Sequence, residues 1–327
     1  MSEHAVGRDE IDQYTQAGYL DARQRSLALK LAGVEPDAAR WHRFLDRLFL
    51  FFGVTLLVAA IGYFVAFNWE EMGRFTKFGL LELGVIGAAF AAARFAADSL
   101  PARAALLGAV LLTGPLLAFI GQTYQTGADS YELFRAWALL ALPWTLVARW
   151  RLLWCFWLLI ANVAGALYFA QAWRPFMGSV FDVTGAAAHL VGNMLFLITI
   201  EWAGRERLTG GGRSLERFAL VLVIGAATFL YFHFVFENRE SSVWQLLTSG
   251  VVLVALCWWY RWNQLDIVAL VIWSFAGIAI VVGTLAKLLS LSRSDGFSFL
   301  LLGVTTIGLS ALAAAWLRQL RRTPETI

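Results

Sequence analysis

Charge is scarce in this sequence. Only 15% of its 327 residues are Asp, Glu, Lys or Arg, where soluble domains carry about a quarter. The net charge is +3, and the basic residues sit mostly between apolar runs, without the basic stripe of a nucleic-acid-binding surface. Cysteine is nearly absent. Cys155 and Cys257 each lie inside an apolar run and read as small buried hydrophobes. No CxxC, HExxH or cysteine–histidine spacing occurs, so neither a metal nor a cofactor is expected. The N-terminal stretch lacks the basic start and short apolar core of a cleaved signal, and insertion is expected to begin with the first membrane helix. The stretch "TGGGRS" has no Lys-Ser or Lys-Thr pair after its glycines and reads as a linker rather than a phosphate loop. No nucleophile sits in a recognisable elbow, and the expectation is a non-enzymatic protein.

What the sequence has in abundance is apolar residues, at 59%, with a mean hydropathy of +0.65. A water-facing globule cannot hide that much apolar surface. Several runs approach or exceed the 18 residues or so that cross a hydrocarbon core as a helix. They are continuous rather than alternating, which excludes a membrane barrel. The fold class is therefore an all-α polytopic membrane protein. Ten transmembrane helices are expected, at about 48–67, 78–97, 104–121, 131–148, 151–171, 184–203, 216–236, 243–260, 264–288 and 296–317.

The turns between these runs carry Asn68, Pro101, Gly127, Pro175, Gly210 to Gly212 and Asn238. Residues 1–47 read as a short helical, amphipathic cytosolic tail. Its "DEIDQYTQAG" and "DARQRSLALKLAG" stretches each open on an Asp N-cap, Asp9 and Asp21, and close at Gly18 and Gly33. Residues 48–150 and 151–317 divide the membrane helices, and 318–327 form a C-terminal tail. No internal repeat is evident. About nineteen Lys and Arg fall on the side of the N-terminus and about six opposite, which predicts both termini in the cytosol.

With that topology, scarce polar residues gather toward the outer face. Asn68, Trp69, Glu82, Gln122, Tyr124, Gln125, Asp129, Glu132, Arg135, His189 and Asn193 are the candidate binding residues of a polar vestibule open to that side. Glu82 and Arg135 are a candidate ion pair; alternatively Glu132 and Arg135, three apart on one helix, pair locally. His189 and Asn193, four apart, present one hydrogen-bonding edge to a neighbouring helix. Glu201 and Asp266, at the inner helix ends, are expected to reach water. Pro115 interrupts the third run and predicts a kink. A vestibule would dock a partner or small ligand. The alternative is a secondary transporter, with Asn162, His189 and Asn193 along its route.

At "VAFNWEEMGRFTKFG" and "GQTYQTGADSYELFRAWALLALPW" the chain resembles the bacterial membrane family catalogued as domain of unknown function 2157. The resembling features are Asn68-Trp69, Gly121 to Gln125, Gly127, Asp129, Leu133-Phe134, Trp137 and Pro143, and they cover roughly residues 8–150. The resemblance implies a multi-pass protein of the bacterial inner membrane, in contact with the lipid bilayer, and an extracytoplasmic envelope protein as a partner. It supplies no catalytic residues.

Overall fold

The computed structural model describes residues 8–33, 35, 38–67, 70–96, 98–124, 127, 129–173, 183–204, 211–236, 243–290 and 296–322. Among them there are twelve α-helices and no strand. They are α1 (Arg8–Gln16), α2 (Ala22–Leu31), α3 (Ala38–Phe67), α4 (Arg74–Arg94), α5 (Leu100–Tyr124) and α6 (Ser130–Ala148). The remainder are α7 (Arg151–Tyr168), α8 (Val183–Ala203), α9 (Ser214–Phe236), α10 (Val243–Trp258), α11 (Ile267–Ser290) and α12 (Gly296–Arg322). Single π-helical turns, Phe169–Trp173 and Trp259–Asn263, extend α7 and α10.

Nine of the described helices are long and apolar enough to cross a membrane. The tenth expected span, 131–148, is a helix, but α6 is not among the nine. Glu132, Arg135, Pro143 and two tryptophans dilute its apolar character. The first expected span also starts earlier than residue 48. α3 is one continuous 30-residue helix from Ala38, about 45 Å long at 1.5 Å per residue, so the basic "WHRFLDR" stretch belongs to the same rod.

The chain divides at Pro115, inside α5, into two compact units. In the first, the amphipathic tail is a helical hairpin. Asp21 caps α2 in a reciprocal capping box, its side chain accepting from the Gln24 amide at 2.7 Å while Gln24 accepts from the Asp21 amide at 2.9 Å. Asp9, by contrast, lies within α1 rather than before it. Gly18 and Gly33 close the two helices in the left-handed region at φ +79° and +71°. Ile11 and Leu29 are buried, and Arg25 Nε donates to Asp12 at 2.8 Å between the two helices. In the same unit α3, α4 and α5 meet through small residues. A Cβ on Gly108 would stand 3.2 Å from Val54, and one on Gly84 would stand 3.1 Å from Leu112, the close approach that glycine permits in membrane helices.

The second unit is built around α9. Leu215, Ala219, Val223, Ala227 and Leu230 repeat every three or four residues and are wholly buried. The stripe of one helix is thus covered on several sides, by α7, α8, α10 and α11. α6 and α7 are joined by only Arg149 and Trp150 and run antiparallel; Arg149 takes a left-handed φ of 46° at the corner. Aromatic contacts fasten this hairpin. Tyr131 meets Tyr168 edge-on at 5.4 Å, Trp137 meets Phe156 at 5.7 Å, and the Trp157 indole donates to the Ala138 carbonyl at 2.9 Å. Cys155 and Cys257 are free thiols, partly rather than fully buried.

Candidate functional site

The residues expected to line the outer vestibule differ widely in setting. Asn68, Trp69 and Gln125 lie outside the described residues. Glu82 is exposed on α4, in the first unit. In the second unit, Gln122 and Tyr124 are exposed at the end of α5, with 66% of Tyr124 uncovered. Asp129 is the exposed N-cap residue of α6 and makes no side-chain cap bond. Arg135 is exposed as well. Its guanidinium stands 3.8 Å from the Glu132 carboxylate and 5.8 Å from the centre of the Tyr131 ring. This is the local pairing along one helix. The Tyr131 amide, an unpaired donor of the first turn, is met by Gln171 Oε1 at 3.3 Å. The polar start of α6 is thereby tied to α7.

The most closely connected polar group lies deeper. α7 with its π turn is apolar from Arg151 to Ala172, and α8 from Val183 to Trp202. Asn162 stands at the middle of the first and Asn193 at the middle of the second. Because α7 and α8 are successive spans, the two midpoints meet. Asn162 Nδ2 donates to Asn193 Oδ1 at 3.0 Å, and Asn193 Nδ2 donates to Asn162 Oδ1 at 2.8 Å. Each amide also donates back along its own helix, Asn162 to the Leu158 carbonyl and Asn193 to the His189 carbonyl, both at 2.8 Å. His189 Nδ1 lies 2.9 Å from Asn162 Oδ1. Asn193 is 3% exposed, so the pair answers within the protein nearly all the hydrogen-bonding capacity it buries.

The other imidazole nitrogen, Nε2, is buried and has no hydrogen-bond partner. The ring fits only because residue 165 is glycine, since a Cβ there would stand 2.9 Å from His189 Cε1 and 3.3 Å from Nε2. Two clefts open on either side of this group, of about 340 and 740 Å3, and Asn162, His189, Asn193 and Phe169 line both. The larger continues to Val221, Leu222, Gly225 and Phe229 of α9. Its volume is that of a small-molecule site, and its few polar groups converge at one end of an apolar wall. Phe169 opens the π turn that ends α7, a local irregularity that often accompanies a site.

Residues 12–154 match the family model of a predicted membrane protein, domain of unknown function 2157. No curated protein and no solved structure matches the chain. The DUF2157 region takes in most of α1, all of α2 to α6 and the first turn of α7. It therefore contains the exposed Gln122, Tyr124, Asp129 and Arg135, and ends before Asn162.

A second polar cluster sits where α8 ends and α9 and α11 begin. Asp266, expected at a water-exposed helix end, is 3% exposed. Arg217 of α9 grips it with both arms, Nε to Oδ2 at 3.1 Å and Nη2 to Oδ1 at 3.0 Å, and Arg213 stands 3.5 Å away. The same carboxylate accepts the Val268 and Ala269 amides at 3.0 and 3.2 Å, capping α11. Close by in the fold, Gln264 donates to Glu201 at 3.1 Å. Burial pushes the Asp266 carboxyl up, but the Arg217 hydrogen bonds, the Ala269 amide and the two guanidinium charges outweigh it and hold it below the ordinary 3.8. Among the described residues, no three His, Cys, Asp or Glu gather where a metal ion could sit.

Proposed function

We propose that the chain is a non-catalytic, multi-pass protein of a bacterial inner membrane, both termini cytosolic, that binds a small amphipathic molecule in the cleft between α7, α8 and α9. The observation that carries this reading is the Asn162–Asn193 pair at mid-span with His189 beside it and open space on either side. Polar side chains are costly at that depth, roughly 2.5–3.5 kcal/mol for a charged one. Here neutral amides and an imidazole form one end of an apolar cleft. An occupant with a hydrocarbon body and one polar group fits that lining.

Gly225 offers a direct test. Gly225 lines the larger cleft and a Cβ there meets nothing within 4 Å, so Gly225→Leu starts from open space and takes up volume in that cleft. Removing a helical glycine also favours the helix by up to about 1 kcal/mol. The variant is expected to be at least as heat-stable as the wild type and to lose the molecule it carries. Mass spectrometry of extracts from both proteins, purified in nanodiscs, reads this. Equal recovery of every small molecule from the two would end the proposal.

A second reading, that the same molecule is carried across the membrane, is favoured by the depth of the amide pair. Transport sites commonly lie near the midplane. Uptake into proteoliposomes that is abolished by Gly225→Leu would establish it, and binding without uptake would leave the simpler reading. The polar segment at 119–144 belongs to the proposal as the surface for an extracytoplasmic envelope protein, through exposed Gln122, Tyr124, Asp129 and Arg135.

A further inference from the structure

The hydrogen-bond pattern around Asn162 fixes more than the positions of three side chains. A backbone carbonyl only accepts. The amide group 2.8 Å from the Leu158 carbonyl must therefore be the Asn162 nitrogen, and that facing the His189 carbonyl must be the Asn193 nitrogen. With both amides oriented, Asn162 presents its oxygen to His189 Nδ1 at 2.9 Å. An amide oxygen cannot donate, so the proton of that contact resides on Nδ1. The lining of the two clefts includes no carboxylate to balance an imidazolium, and the ring is neutral with its proton held at Nδ1. Nε2 then carries a lone pair, buried and unanswered.

We infer that this cleft selects ligands bearing a hydrogen-bond donor on an apolar body, such as a long-chain alcohol, and that His189 Nε2 is the atom receiving it. The inference rests on the proposed cleft reading and deepens it by naming the polar group of the ligand. An ether or ester of the same size offers Nε2 only another lone pair and leaves it unsatisfied. An alcohol satisfies it while its chain lies along Val163, Leu167, Val221, Leu222 and Phe229. The neighbouring Gly165 admits the ring edge, and its replacement by alanine displaces the imidazole from this position.

The test uses 1-dodecanol and dodecyl methyl ether as matched probes on the full chain in nanodiscs. The nitrogen-15 spectrum of histidine-labelled protein identifies the protonated nitrogen directly. His189 is assigned by substituting the other three histidines, His4, His42 and His233, none of which lines the clefts. The expected spectrum has Nδ1 protonated and Nε2 bare, with the Nε2 resonance moving on addition of the alcohol and not of the ether. Thermal-shift titration should give the alcohol an advantage of about tenfold, the scale of one buried hydrogen bond. That advantage should vanish in His189→Phe, which keeps a ring of similar bulk. A protonated Nε2, or equal binding of both probes, overturns the donor inference while the cleft stands as a site. No binding of either probe, with an unmoved spectrum, overturns the cleft reading along with it.

Discussion

Arg217→Ala is expected to lower stability by about 3 kcal/mol, read by unfolding titration in mixed micelles. The substitution leaves the Asp266 carboxylate, 2% exposed at its side chain, without its two-armed partner. A buried pair broken from one side typically costs about 3–5 kcal/mol. The lower end applies because Arg213 and two backbone amides still face the carboxylate, and because Arg217 itself is partly exposed. Arg217→Lys should recover only part of the loss, since an ammonium cannot make both contacts at once. The pH dependence has a definite sign. A carboxyl held below its ordinary value contributes stability above that value and loses it as pH falls through the folded one. The gap between wild type and Arg217→Ala should therefore be full at neutral pH and shrink as falling pH protonates the carboxyl. Protonation comes first in the variant, where the Arg217 contacts no longer hold it down, and last in the wild type, below 3.8. A gap unchanged down to pH 2 or so would remove Asp266 as its cause.

Asn162→Leu is expected to cost about 2 kcal/mol. It strips partners from three groups: Asn193 Oδ1, one Asn193 N–H and His189 Nδ1. Polar contacts between membrane helices average only around 0.6 kcal/mol, because side chains released from one partner find another. Asn193 cannot do so readily, since its remaining nitrogen contact is to its own helix and water does not reach it. The loss therefore exceeds the membrane average. Changing both asparagines to leucine removes the stranded groups, and the double variant should be more stable than the Asn162→Leu single. If the double variant is weaker by the sum of two single losses, the amides are not coupled and the mid-span pair does not hold α7 to α8.

Composition and hydropathy alone determined the class of this protein and the placement of most of its helices. A run of twenty apolar residues has one stable arrangement in lipid, a helix with its backbone bonds closed on itself. The Asp21 cap and the closures at Gly18 and Gly33 were legible for the same reason, as they depend on neighbours three or four residues away. α6 was the borderline case. Its apolar pattern announced a helix, while Glu132 and Arg135 kept its hydropathy low, and its aromatic contacts with α7 show what its mixed face packs against.

The site was only half legible. His189 and Asn193 stood out as one helical edge, and Asn162 joined them only along the alternative transport route, although an asparagine at the centre of each of two successive runs already pointed to a pair. What sequence could not supply was the pairing of those centres across α7 and α8, or the room that Gly165 leaves for the imidazole. Likewise Asp266 read as a wet helix end until Arg217, forty-nine positions earlier, was brought against it. The local pattern sets which backbone form each segment takes, because those bonds lie within the segment. Which side chains share a dry interior is set by helices distant in sequence, and only the tertiary structure decided it.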